Sequence, residues 1–186
     1  MLASKIIVAI SMGLLSTVAA AVVGAREGTG QSPNQKRKYN CNEVNIFFTG
    51  LSPAHPLVIR EGFDPKMVDA YLRADAAKII AAGYNLRFSL MGPEMGAKAL
   101  GDSMNGVSWH GAGIGNGERS TILDELVVWF EDSLQVYRNR APGSQLLFNK
   151  SANTTLWAIQ RRFPLVGNCT NSPGTDLGFE VFCDIC

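Results

Sequence analysis

The chain has 186 residues, a formal net charge of +1, 46% hydrophobic residues and 18% charged ones. That balance excludes the basic footprint of a nucleic-acid binder and electrostatic attachment to an anionic membrane. The length suits one domain with a real core.

The chain opens on Met1-Leu2-Ala3-Ser4-Lys5, followed by an apolar run from Ile6 to Val23 and small residues at Val18-Ala19-Ala20-Ala21. One positive charge, an apolar stretch and a small-residue exit make the secretory signal pattern. The expected signal peptide is 1–20, cut after Ala20 or Ala21, and preferred over a retained membrane anchor because the run is rich in Ala, Ser and Gly. The mature protein is then expected outside the cell, with no stable membrane association. Removing Lys5 leaves acidic and basic residues equal in number. Residues 21–40 read as a flexible leader, polar from Ala25 onward, in which Lys36-Arg37 is either a processing site or, preferably, two solvated charges.

Residues 41–166 carry the periodic elements. Val44 to Gly50 is a short apolar, β-rich run that reads as a buried strand. Leu51 to Gly62, with Pro53, His55 and Pro56, reads as loop. Asp64-Pro65 has the form of an N-cap followed by proline at the first helical position. Met67, Val68, Tyr71, Leu72, Ala76, Ile79 and Ile80 then recur at helical spacing up to Gly83. Leu86 to Met91 is a second strand, Glu94 to Met104 a weaker helix, and Val107 to Ile114 a third strand despite Gly111 and Gly113. A long helix is predicted from Thr121, with Asp124 completing a capping box and Ile122, Leu126, Phe130 and Leu134 on one face. Ala141-Pro142-Gly143 stops it. Gln145 to Asn149 is a fourth strand and Thr154 to Arg162 a last helix. Trp129, Phe130 and Trp157 fall on helices and are explained by core packing.

Strands alternating with helices predict a parallel sheet covered on both faces. The fold class is therefore α/β, a three-layer Rossmann-like or flavodoxin-like domain with about four parallel strands. Residues 167–186 are expected as an irregular, disulfide-pinned tail.

The four cysteines, Cys41, Cys169, Cys183 and Cys186, form an even set in an exported chain and predict two disulfides among three possible pairings. At least one bridge should tie the N-terminal arm to the tail. Cys183-Asp184-Ile185-Cys186 has CxxC spacing, but a redox CxxC needs a helix N-terminus to stabilise its thiolate, so a structural role is preferred over redox or zinc chemistry. Asn149, Asn153 and Asn168 open glycosylation sequons.

Gly83-Tyr84, Gly115-Asn116-Gly117-Glu118-Arg119, Ala141-Pro142-Gly143, Phe148-Asn149-Lys150-Ser151, Asn153-Thr154-Thr155 and the run Trp157 to Pro164 resemble a family of secreted fungal proteins of unknown activity. More distantly the chain is similar to conserved bacterial proteins with a Rossmann-like core. The resemblance covers about residues 44–163 and implies the α/β fold without an activity. It departs at Ala152, where proline is expected, and at Glu118, which replaces an apolar residue.

Ligands of open α/β sheets bind beyond the carboxyl ends of the strands. That rim gathers Gly50-Leu51-Ser52, Met91 to Glu94, Gly115 to Ser120 and Asn149 to Ser151. The glycine-rich loop before the long helix offers bare N–H groups and a helix N-terminus, and Arg119 offers a fork for an anion. Gly115, Gly117, Arg119 and Asn149 are thus the candidate ligand-binding residues, for a small anionic or polar molecule. The other reading of the glycines is tight packing, and a glycan on Asn149 would block the rim. No nucleotide fingerprint and no spacing for a metal occurs, so no cofactor or metal is expected. Ser52 with His55 lacks the nucleophile-elbow pattern, His110 reads as packed, and Asp124 and Glu125 read as helix-capping acids. The alternative function is a secreted interaction protein without catalysis, acting on a host or cell-wall partner.

Overall fold

The structure is a computed structural model that describes residues 37–186. The expected signal peptide 1–20 and the leader through Lys36 lie outside the described residues. Five parallel strands form one sheet in the order β4-β3-β1-β2-β5. They are β1 (Asn45–Gly50), β2 (Asn85–Leu90), β3 (Gly111–Ile114), β4 (Gln145–Phe148) and β5 (Asp176–Val181), and the helices lie on both faces. The Rossmann-like α/β reading holds.

Alternation along β1 builds the two cores. Phe47 joins Trp109, Leu126, Trp129 and Tyr137 on one face. Ile46 and Phe48 join Leu72, Ile79, Phe88, Leu147 and Phe163 on the other. The first face is covered by α3 (Gly96–Ser103) and α5 (Asp124–Arg140), the second by α2 (Pro65–Ala81) and α6 (Thr155–Gln160). β3 is glycine-rich because Phe48 of β1 lies where a β-carbon on Gly113 would stand. Central-strand composition is here set by a neighbour's ring rather than by β-propensity.

Four local expectations are corrected. The segment 51–62 is not all loop. It contains α1 (Pro56–Arg60), whose N-cap is His55, with Nδ1 accepting from the Leu57 N–H at 3.1 Å. Histidine is outside the usual capping set, so the sequence pattern does not announce it. The long helix does not begin at Thr121. The hydroxyl of Thr121 accepts from the Leu123 N–H and donates to Glu61, α5 starts at Asp124, and Ile122 is 93% exposed. Its buried face is Leu126, Trp129, Ser133, Val136 and Tyr137. Trp157 is 41% exposed, with Lys150 and Arg161 over its ring. The tail is not irregular throughout: β5 pairs with β2, from Leu86 opposite Asp176 to Leu90 opposite Val181. Arg87 Nε donates to the Leu177 carbonyl, and Phe179 packs on Phe88 under Arg73.

The end of the expected leader is anchored. Tyr39 bridges to Leu165 and packs edge-on against Phe163 and His110. The arm-to-tail bridge is Cys41–Cys169, and the second disulfide is Cys183–Cys186. Gly83 closes α2 with φ of +98°, and Cys169 fills the place of its missing side chain. Alanine there would be both strained and in collision with the disulfide.

Cys41–Cys169 closes a separation of 128 residues. By chain entropy such a loop contributes roughly 4 to 5 kcal/mol. The Cys41→Ser/Cys169→Ser double variant should lose about that much in urea-unfolding free energy. Cys183→Ser/Cys186→Ser, which opens a separation of 3 residues, should lose far less.

Candidate functional site

In this topology the chain passes from β1 to β2 on one side and then to β3 on the other, so strand order reverses between β1 and β3. The crevice at their carboxyl ends is where a ligand of an open α/β sheet sits. A cavity of about 330 Å³ occupies that place. Its floor is Phe48, Phe88 and Leu90 from the strands, one wall is Met67, Val68, Tyr71 and Leu72 of α2, and the opposite wall is Gly115, Asn116 and Gly117. Residues 149–153 close one end, and Glu61 to Asp64 flank the mouth. The lining is mainly apolar, with a few polar groups, the usual make-up of a small-molecule site.

Three of the four candidate ligand residues, Gly115, Gly117 and Asn149, line this cavity, and Arg119 does not. Its guanidinium donates to the carbonyls of Ile114 and Asn149 and lies over the Phe148 ring. Arg119 thus ties the end of β3 to the loop after β4. The turn that follows β3 is α4 (Asn116–Arg119), a single turn separate from α5. The α5 dipole and the Arg119 guanidinium that suggested an anionic ligand are both missing from the cavity, and Lys150, which lines it, holds its ammonium over the Trp157 ring. At the β1/β3 crevice, Gly115 approaches the Gly50 backbone so closely that a β-carbon would stand 3.4 Å from its Cα. Gly115 is therefore closely packed, at the edge of ordinary van der Waals contact. A β-carbon on Gly117, in contrast, would meet nothing within 4 Å.

Asn149 is 4% exposed. Its Nδ2 donates to the Ser151 carbonyl at 2.9 Å and to Thr155 Oγ1 at 3.2 Å, while Oδ1 has no partner. The loop is preformed: Thr154 Oγ1 accepts from the N–H groups of Lys150 and Ser151. The buried Asp75 carboxylate of α2 accepts from the Thr155 N–H at 2.6 Å, capping α6 from across the cavity wall. Neither Asp75 nor the α2 wall was singled out from the sequence. The helical spacing that locates α2 assigns all its apolar residues to core, and nothing in it marks which of them face a void.

Glu118 occupies a core position. Glu118 is 1% exposed on the inner side of α4, and neither carboxylate oxygen has a hydrogen-bond partner. Burial raises its pKa to about 8, eased by the neighbouring Trp129 indole, which does not complete a hydrogen bond, and by Arg119. His110 lies just ahead of β3, with Nδ1 accepting from the Asn45 N–H, and its pKa is lowered by burial.

A second group of polar side chains lies at the far side of the rim. His55 Nε2 is 3.0 Å from Glu94 Oε2, and Cys183 Sγ is within 4.8 Å of a donor atom of each residue. This donor set does not suit a metal. The sulfur is in a disulfide, and His55 Nδ1 accepts from the Leu57 N–H, so the ring proton sits on Nε2, where a metal would have to bind. Ser52 makes no contact with His55 of the kind a nucleophile and base require, and its Oγ is 3.7 Å from Cys186 Sγ instead.

Two outcomes follow. Asn153 and Asn168 are exposed and Asn149 is buried with its amide nitrogen engaged, so glycopeptide mass spectrometry of protein made in a eukaryotic host should find sugar at Asn153 and Asn168 and none at Asn149. Between about pH 4.5, the ordinary Glu value, and about 8, folded Glu118 holds a proton that the unfolded chain has released. Its contribution to stability is therefore full at low pH and falls as pH rises through that window. Glu118→Gln should leave the melting temperature at pH 5 nearly unchanged and raise it by several degrees at pH 8. Comparison with family models, with curated proteins and with solved structures finds no match to this chain, so the reading of the site rests on its geometry.

Proposed function

We propose that this chain is an exported protein that binds a small, mainly apolar molecule carrying one hydrogen-bond donor, in the cavity at the carboxyl ends of β1 and β3. One observation carries the reading: Asn149 lines an apolar cavity at the switch point of the sheet with its buried Oδ1 unpartnered. A buried carbonyl oxygen without a partner is costly; it is closed off from solvent, and a small shift of the loop 149–153 would open it to a ligand hydroxyl or N–H. The apolar walls would supply the affinity and this one oxygen the orientation.

Export is supported by the signal pattern at the N-terminus and by the two disulfides, which leave no free cysteine among the described residues. Among those residues no helix is long and apolar enough to cross a membrane. The resemblance to secreted fungal proteins agrees with export. The engaged nitrogen of Asn149 keeps sugar off the inner wall of the cavity, and the sugar expected on exposed Asn153 stands at its outer end.

Nile red, a neutral apolar dye, is a suitable probe. It should bind saturably at one site with a blue shift, and inorganic phosphate should not compete. Gly117→Phe places a ring beside the cavity where nothing obstructs it. This variant should fold normally and bind the dye at least about ten-fold more weakly, a loss of about 1.4 kcal/mol. Unchanged dye binding by folded Gly117→Phe would refute the site, and competition by phosphate would restore the anionic reading.

A further inference from the structure

The Cys183–Cys186 disulfide does little for the fold. It closes a separation of only 3 residues, and the strand before it is already held by its pairing with β2 and by the Phe182 N–H donating to the Leu90 carbonyl. Its surroundings are more specific than a staple requires. Cys183 Sγ lies within 4.8 Å of a ring nitrogen of His55 and a carboxylate oxygen of Glu94. Cys186 Sγ lies 3.7 Å from the hydroxyl of Ser52. Each sulfur thus has an O–H or N–H donor at hand.

The donor beside Cys183 is fixed by the fold. Because His55 Nδ1 accepts from the Leu57 N–H at 3.1 Å, the neutral ring carries its proton on Nε2, the nitrogen 3.0 Å from Glu94, on a ring that lies beside Cys183. Gly92 makes the arrangement possible, since any β-carbon at position 92 would fall on His55 Nε2 and Glu94 Oε2. The two cysteines also differ in access: Cys186 is exposed and Cys183 half-buried. Next to them a cavity opens, lined in part by Pro93 and Ile185 together with His55 and Glu94.

We propose that Cys183–Cys186 is an exchange-active disulfide that oxidises thiols, with Cys186 as the sulfur attacked and Cys183 as the leaving thiolate received by His55. An incoming thiolate forms a bond to Cys186 Sγ, the Cys183–Cys186 bond breaks, and its electron pair leaves on Cys183. The His55 Nε2–H then shares its hydrogen bond between Glu94 and the thiolate, with the Nδ1 cap kept, which lowers the barrier because a more stable leaving thiolate departs faster. A second thiol attacks the mixed disulfide at the substrate sulfur and releases Cys186. In sum two substrate thiols become one disulfide, and their two protons end on Cys183 and Cys186. The helix N-terminus that CxxC centres use to stabilise a thiolate is replaced by an imidazole N–H held by a helix cap. The proposal is independent of the ligand cavity between β1 and β3, whose lining includes none of these residues.

The test is the rate at which the full oxidised chain exchanges with glutathione and, in a separate arm, with a reduced two-cysteine peptide. The products are trapped by acid quench and mapped by mass spectrometry. A synthetic Cys-Asp-Ile-Cys peptide disulfide is the baseline, and Cys41–Cys169 is the internal control. The expected result is exchange at Cys183–Cys186 at least ten-fold faster than the baseline, with the adduct on Cys186 and Cys41–Cys169 intact. Reaction in only one arm would support the proposal and identify small thiols or peptide thiols as the substrate. His55→Asn keeps a capping oxygen for Leu57 but removes the distant N–H. It should fold and slow the exchange by about ten-fold, while Ile59→Ala, an exposed residue of the same helix outside the cavity beside the disulfide, should not. Exchange no faster than the baseline in both arms, an adduct on Cys183, or an unchanged rate in folded His55→Asn would each overturn the proposal.

Discussion

Phe48 sets the geometry of this protein. Its ring on β1 takes the volume that a side chain on Gly113 would need, so β3 must be nearly bare where it crosses β1. The same ring packs edge-on against Phe88 of β2 and forms part of the cavity floor. One aromatic residue thereby joins the central strand, its two neighbours and the site. With side chains removed from β3, the backbones of Gly50 and Gly115 approach each other at the crevice where strand order reverses. The cavity lies where it does because large residues on β1 and α2 face small ones on β3. Such complementarity of volume specifies a core more tightly than hydrophobicity alone.

The fold class was legible because alternating strands and helices leave few arrangements. α2 was legible to its first residue, since Asp64-Pro65 states its start: Asp64 Oδ1 accepts from the N–H groups of Lys66 and Met67. α5 was misplaced at its beginning because Thr121 and Asp124 imitate a capping box, whereas Thr121 is bound to Glu61, 60 residues away. β5 was missed for a related reason. Asp176-Leu177-Gly178-Phe179-Glu180-Val181 is short, contains glycine and gains its strand conformation from β2 and Arg87. Tertiary contacts decide both cases, and no local pattern encodes them. At the site, the rule that ligands gather at strand ends reaches Gly115, Gly117 and Asn149. It cannot show that Arg119 turns back to two carbonyls, because that depends on where β4 ends.

Polar groups inside this fold serve two opposite purposes. Asp75, Thr155 and Asn149 are buried and connected, and they hold the loop after β4 in one conformation. Glu118 is buried without partners. A carboxyl in such surroundings is tolerated when neutral, so ionisation of Glu118 weakens the core under α4. The first kind rigidifies the cavity, and the second makes the stability of its supporting helix turn sensitive to alkaline conditions.

The position of β5 has a consequence for how the chain is made. Its partner β2 is complete by Leu90, but the residues that cover its outer edge run from Asp176 to Val181, and the cysteine that closes the arm-to-tail disulfide is Cys169. During synthesis the inner strands can assemble while the outer edge of β2 stays unpaired until almost the whole described chain has emerged. An open strand edge recruits other strands. The nascent chain therefore carries an open edge on β2 until residues 176–181 have emerged, and the arrival of β5, not collapse of the first strands, sets the moment at which that edge is covered.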